Sequence, residues 1–367
     1  MASRIKALYL LRCDARSVEG RARALAVEQS VEMPVTAIDD AFVLAEVVGQ
    51  VEAIAEKEPS LFEVRIALAQ DTVDNDPGQL LNMLFGNSSL QDDVVLHDVE
   101  LPPGLAKSLG GPAHGLHALR RRVGACARAL TGSVLKPQGL PPAKLADLAR
   151  RLALGGIDYI KDDHGLADQV YSPFRARVEA IMEGLRSLDA SNGRRAHYVP
   201  SLSGDLDAMR GQISLASAAG VDTVMVAPMI MGWSNFQRIV RENPHMAFVA
   251  HPSMAGAARI APTLLLGKLF RLLGADAVVF PNHGGRFGYS PDTCRALARE
   301  ALAKRDGIRP CVPVPAGGMT SARVPEMLAF YGADVMLLIG GALLEARAHL
   351  TEATAAFVAE VHRYAYN

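Results

Sequence analysis

The sequence predicts an α/β protein: a C-terminal TIM (β/α)8 barrel behind an N-terminal ferredoxin-like α+β domain. Three observations predict it. From about residue 130, eight short apolar segments recur, and helical patterns separate them, which is the barrel count. Two successive segments, Gly132-Ser133-Val134-Leu135-Lys136-Pro137 and Gly156-Ile157-Asp158-Tyr159-Ile160-Lys161-Asp162-Asp163-His164, run apolar and then end in lysine or in a polar cluster. Buried unpaired, such ends would cost on the order of several kcal/mol per ion, so they belong at a wet barrel mouth. Before residue 125 strands and helices mix as in a split βαβ layer. The expected domains are 1–125, ferredoxin-like, and 126–367, the barrel.

Taken in order, the N-terminal part reads as a strand near 4–12, an Ala/Glu/Arg-rich helix near 16–29, a strand near 34–40 and a helix near 41–56. A strand over 61–68, a helix over 77–85 ending at Gly86-Asn87, and a strand over 94–101 follow. Pro102-Pro103-Gly104 and Gly110-Gly111-Pro112-Ala113-His114-Gly115 read as a linker, with His114 structural in a turn. The barrel strands are expected near 133–137, 158–163, 197–203, 221–230, 247–253, 276–282, 310–317 and 333–340. Helices are expected over 142–154, 169–188, 205–219, 261–273, 290–304, 321–331 and 343–364. Pro142 suits a first helical turn, and Gly155, Gly220, Gly274 and Gly332 stand where C-caps belong.

Composition narrows the function. The chain has 367 residues, half of them apolar, which suits two folded domains. A formal net charge of −1 argues against nucleic acid or an anionic membrane as partner. Cys13, Cys126, Cys294 and Cys311 are scattered without a CxxC pair, as expected of reduced thiols in a cytoplasmic protein. No apolar run reaches membrane-spanning length, and the N-terminus lacks a signal-peptide core.

In a barrel the strand ends share one surface. Here they bring together Lys136, Lys161, Asp163 and His164, then His251 and His283 from strands five and six. Gly317-Gly318 and Gly340-Gly341 follow strands seven and eight, the usual place for a barrel phosphate site; the plainer reading is two tight turns. Lys136, with a second cation nearby at Lys161, is the leading acid/base candidate, or else an anion anchor. His251 and His283 are candidate proton relays, although a histidine there is commonly a satisfied polar group. Met225, Met229, Met231 and Trp233 suggest an apolar lip near strand four, or ordinary core.

These residues, in this order, resemble the RuBisCO large-chain superfamily. The likeness rests on Gly132–Leu140, Gly156–Asp163, His251-Pro252-Ser253-Met254-Ala255-Gly256, Pro315-Ala316-Gly317-Gly318 and Ile339-Gly340-Gly341. It extends to Ala26-Val27-Glu28-Gln29-Ser30, Phe85-Gly86-Asn87 and Gly111–Gly115. Several carboxylase residues are replaced. His164 stands where a glutamate completes the magnesium site, Gln138 replaces a lysine, Pro252 an arginine and Ala316 a serine. Met33-Pro34 falls near a Thr-Trp phosphate pair, and the loop after strand six has Arg286 but no lysine. The chain is therefore identified as a RuBisCO-like protein (form IV) that does not fix CO2.

The resemblance implies a carbamylated Lys161 that, with Asp163, holds Mg²⁺; His164 is a further ligand, a proton carrier or simply a hydrogen-bond partner of Asp163. The plainer reading is a Lys161–Asp163 ion pair. Lysine and aspartate two positions apart on a strand face one side, and Mg²⁺ takes oxygen ligands, whereas imidazole suits softer divalent metals. It also implies a homodimer with shared sites, to which Glu28 and Asn87 contribute. The expected chemistry is proton abstraction beside the carbonyl of a small phosphorylated keto sugar, in a tautomerase or isomerase. Alternatives are a decarboxylase of an oxo-acid-sugar phosphate and a sugar-phosphate-binding protein without turnover.

Overall fold

The computed structural model describes residues 3–192 and 196–365. Four antiparallel strands form the N-terminal sheet in the order β2-β3-β1-β4: β1 Arg4–Arg12, β2 Gln50–Glu58, β3 Leu61–Ala69 and β4 Val94–Glu100. With helices Val18–Glu28 and Pro77–Phe85 between them, the order is βαββαβ, the ferredoxin-like layer the sequence predicts. Alternating residues Ile5, Ala7, Tyr9 and Leu11 of the central strand are fully buried.

Residues 34–58 depart from expectation. The expected strand is a single 3₁₀ turn, Val35–Ala37, and the expected helix is one short turn, Val43–Val47, followed by β2. Gly49 explains the break. A Cβ there would stand 2.4 Å from the Ala26 carbonyl oxygen, so the chain must pass extended beside the first helix. The second half of the helix expected near 41–56 then gives way to pairing with β3, and the charged side chains of Glu52, Glu56, Lys57 and Glu58 blunt an exposed sheet edge.

Eight parallel strands form the second sheet: β5 Leu130–Leu135, β6 Tyr159–Asp162, β7 His197–Val199, β8 Thr223–Val226, β9 Ala247–Ala250, β10 Ala277–Pro281, β11 Val312–Ala316 and β12 Met336–Leu338. A bridge between Ser201 and Met225, just past β7 on one side, closes the ring. Every strand sends a side chain into the interior, including Leu130, Tyr159, Val199, Met225, Val249 and Val314.

The floor of that interior is helix Gly115–Arg122, whose Leu116 and Leu119 pack among the inward side chains. The physical barrel thus recruits residues ahead of 126. The fully buried Asp276 latches this helix in place. It accepts the His114 and Gly115 N–H groups at 2.7 Å each and the Phe248 N–H at 2.9 Å. We predict that Asp276→Ala, which leaves three backbone donors without their acceptor, two of them buried, costs about 3 kcal/mol or more. Urea unfolding measures this, and a loss below about 1 kcal/mol contradicts the latch.

Candidate active site

The C-terminal ends of the barrel strands open on one cavity of about 700 Å³. Into it come Lys136 after β5, Lys161, Asp163 and His164 from β6, His251 after β9, and both Gly-Gly turns. Lys136 and Asp163 lie on one side of it, with Lys136 Nζ 3.1 Å from Asp163 Oδ1. Gln138 donates its amide to Asp163 Oδ2 at 3.3 Å, and His164 Nδ1 stands 3.5 Å from Oδ1. Burial alone would raise the Asp163 pKa, but the Lys136 hydrogen bond and charge, with Gln138 and His164, hold it below the ordinary carboxylate value.

Lys161 behaves differently. Its side chain is buried, and its ammonium donates to the Asp162 carbonyl at 2.7 Å. Desolvation lowers its pKa to about 8, Lys136 pushing the same way and Asp163 and Asp162 opposing. The neutral amine of Lys161 is therefore accessible near physiological pH.

Strand alternation explains how β6 delivers both groups. Asp162, between them, points outward to the helical layer, where it accepts Arg177 Nε at 3.1 Å, the Tyr198 hydroxyl at 2.7 Å and the Ser201 N–H at 3.1 Å. Arg177, from helix Phe174–Asn192, also donates to the Ala167 and Ser172 carbonyls and so ties down the loop after β6.

His251 stacks on His164, ring centroids 4.9 Å apart and planes 3° apart. Its Nδ1 lies 2.8 Å from the Ser253 hydroxyl and accepts the Ser253 N–H at 3.3 Å, so Nε2 carries the proton. Burial, reinforced by Lys161 and His164, lowers its pKa to about 3, which keeps the ring neutral. The glycine turns are shaped for close approach. Gly317 and Gly318 have φ of 84° and 69°, and a Cβ on Gly318 would meet the Gly285 backbone at 2.7 Å.

Other expected residues lie elsewhere. His283 turns away from the cavity onto Phe330, with centroids 4.6 Å apart. Asn282 is buried beside it, its amide between the sulfurs of Met319 and Met327. Glu28 and Asn87 do meet, Asn87 donating to Glu28 at 2.9 Å and to Glu32 at 3.0 Å, but on the exposed N-terminal layer outside this cavity. The expected apolar lip at strand four is core. Met225 fills the barrel interior, and Trp233, buried, donates to the Met229 sulfur. The apolar rim comes instead from Met254, Phe287 and Tyr289, which the Gly-rich loop Gly284–Gly288 and the His251–Gly256 turn could have suggested. Among the described residues, no three His, Cys, Asp or Glu side chains cluster to hold a metal ion. With Lys161 as an amine, the oxygen donors at the mouth reduce to Asp163, and that set does not fit a divalent cation.

A closed eight-stranded barrel, with lysines at strands one and two and glycine turns at seven and eight around one mouth, defines an α/β-barrel fold of the enzyme-bearing kind. Residues 115–366 match the family model for the ribulose bisphosphate carboxylase large chain, catalytic domain. The chain belongs to the RuBisCO large-chain family, among its RuBisCO-like members. It is 59% identical over 362 residues to the 5-methylthioribulose-1-phosphate isomerase of Rhodospirillum rubrum, covering 98% of this chain and 97% of that one. It is 55% identical to ribulose bisphosphate carboxylase-like protein 1 of Rhodopseudomonas palustris, covering 98% of each. A crystal structure of a Rubisco-like protein from Rhodopseudomonas palustris superposes with a TM-score of 0.94 at 52% identity, covering 100% of both chains. Among the described residues no helix is long and apolar enough to cross a membrane, and the four cysteines are free.

The desolvated Lys161 costs stability whenever it is charged. Its folded pKa lies below the unfolded value of 10.5, so the unfolded chain binds more protons between about pH 8 and 10.5, and stability rises with pH across that window. In CO2-depleted buffer at pH 7, Lys161→Met is expected to stabilise the fold by about 1–3 kcal/mol. Denaturant unfolding checks this; a destabilised variant would show that the lysine is better paired than its burial implies.

Proposed function

We propose that the protein is an isomerase of a keto-sugar phosphate: it enolises the substrate beside its carbonyl and reprotonates the neighbouring carbon. The reading rests on one observation, the convergence of Lys136, Lys161, Asp163 and neutral His251 with two glycine turns in a single cavity. The name of the Rhodospirillum rubrum relative supports 5-methylthioribulose 1-phosphate as the substrate. The lack of a lysine after β10, in the loop 282–288, supports a reaction without CO2 addition.

In this scheme the bare N–H groups at Gly317-Gly318 and Gly340-Gly341 bind the phosphate. Lys136, in its neutral form, takes the proton from the carbon next to the carbonyl and returns it to the adjacent carbon. The carbonyl oxygen becomes the oxyanion, which the His251 Nε2–H stabilises without changing charge. One pair of electrons moves from the C–H bond into the enediolate and then into the new C–H bond, while the proton of the neighbouring hydroxyl passes to the former carbonyl oxygen as the new carbonyl forms, so no oxidant or reductant is consumed.

Lys161 serves by accepting CO2. Its lowered pKa exposes the neutral amine that forms a carbamate, and in that state the mouth fits a divalent cation, because two carbamate oxygens join Asp163 while His164 lies alongside. Mg²⁺ held there would polarise the carbonyl of the substrate. Glu28 and Asn87, paired on the exposed N-terminal layer, complete the site of a second copy in a homodimer.

The test is exchange of substrate carbon-bound hydrogen with deuterated solvent, alongside product formation from 5-methylthioribulose 1-phosphate. The wild type is expected to do both, and Lys136→Ala to lose about 10²–10⁴-fold in both. Preincubation with bicarbonate and Mg²⁺ should activate the wild type, more readily as pH rises through about 8, and should not activate Lys161→Ala. Full exchange by Lys136→Ala, or indifference of the wild type to substrate, overturns the reading.

A further inference from the structure

Two large apolar side chains at the cavity remain unused by this chemistry. Met254 and Phe287 both line it, yet they are 59% and 55% exposed. Water-facing apolar surface of that size at a ligand cavity marks a contact still to be made.

Neither side chain is there by default. Met254 has a φ of 65°, a left-handed backbone that side-chain-bearing residues rarely adopt, within the turn closed by the Ala255 N–H to the Pro252 carbonyl. The neighbouring His251–Ser253 hydrogen bond fixes the start of the same turn. Phe287 is held from two sides. The Arg286 guanidinium lies 4.8 Å from its ring centroid, and its ring carbons come within 3.6 Å of where a Gly317 Cβ would stand. The ring therefore packs against the Cα side of Gly317, and Met254, on the loop after β9, stands one strand further from that turn.

Ring order separates the functions. Lys136 and Lys161 belong to β5 and β6, Met254 and Phe287 to the loops after β9 and β10, and the glycine pairs to β11 and β12. In a closed ring of eight, β9 and β10 stand opposite β5 and β6. The mouth thus has a lysine side and an anion side, and across from the lysines Met254 and Phe287 supply apolar surface beside His251, Ser253 and Arg286. Such a layout fits a chain molecule with phosphate at one end and an uncharged apolar group at the other, its reacting carbons between.

We infer that Met254 and Phe287 form a specificity subsite for an apolar tail, of alkylthio or alkyl class, at the end of the substrate remote from its phosphate. The inference rests on the proposed function for the sugar-phosphate part and adds the residues that select the other end. Met254 offers a polarisable thioether and Phe287 a ring face, and both suit a sulfur-bearing methyl group better than a hydroxyl.

The test separates this subsite from the chemistry by using unreactive alcohols. Calorimetry would measure dissociation constants of 5-methylthioribitol 1-phosphate and of ribitol 1-phosphate, which ends in a hydroxyl instead. The wild type is expected to prefer the first by about 10–200-fold, the range for apolar-pocket selection. Met254→Ser and Phe287→Ser should each reduce that ratio by about tenfold, and Phe287→Leu should restore most of it. A wild-type preference under about threefold, or a ratio untouched by both serine variants, overturns the subsite. Intact discrimination without turnover of the corresponding ketose would instead overturn the isomerase reading and leave the subsite standing.

Discussion

Asp162 is a carboxylate with no access to water, and the mouth of the barrel depends on how it is held. Arg177, Tyr198 and the Ser201 amide saturate it from the helical side of β6. Removing one partner from such a buried pair typically costs 3–5 kcal/mol, because the remaining charge has nowhere to go. With Asp162 pinned outward, the alternation of the strand leaves Lys161 and Asp163 no choice but to face the cavity. The carbonyl of Asp162 then receives the Lys161 ammonium, so one residue anchors the strand with its side chain and the lysine with its backbone.

From that anchor the electrostatics of the mouth follow. Asp163 is buried but well supplied with donors, and it stays ionised. Lys161 is buried with fewer compensating contacts, and its pKa falls. Lys136, more than a third exposed along its side chain, faces Asp163 from the next strand. Two lysines a strand apart thereby differ sharply in burial. His251, neutral through the same desolvation and fixed in tautomer by Ser253, supplies a hydrogen-bond donor that brings no charge with it. The glycine turns add backbone donors on the far side of β5. This division of labour is the physical content behind the enolising chemistry proposed for the site.

Much of this was legible in the residues. The polar ends of β5 and β6 stand out because buried strands do not otherwise finish in charge, and a period of two puts Lys161 and Asp163 on one side. The barrel strands and the helix over 142–154 follow their apolar patterns closely. What escaped was set by contacts distant in sequence. β2 falls mostly within the helix expected near 41–56 and becomes a strand because β3 offers it an edge and Gly49 must clear the Ala26 carbonyl. His283 lies beyond the end of β10, where strand alternation no longer dictates direction, and it turns to Phe330. The apolar rim was sought at Met229 and Trp233, which find each other in the core, whereas Met254 and Phe287 are carried to the mouth by loop conformations that no periodicity encodes.

The central claim is that burial at the end of β6 lowers the pKa of Lys161 and so opens its amine to CO2. NMR titration of ¹³Cε-lysine-labelled protein in CO2-free buffer, with the signal assigned by its loss in Lys161→Arg, measures this directly. The account predicts a Lys161 midpoint of about 8. A midpoint at the ordinary lysine value of 10.5 would contradict it.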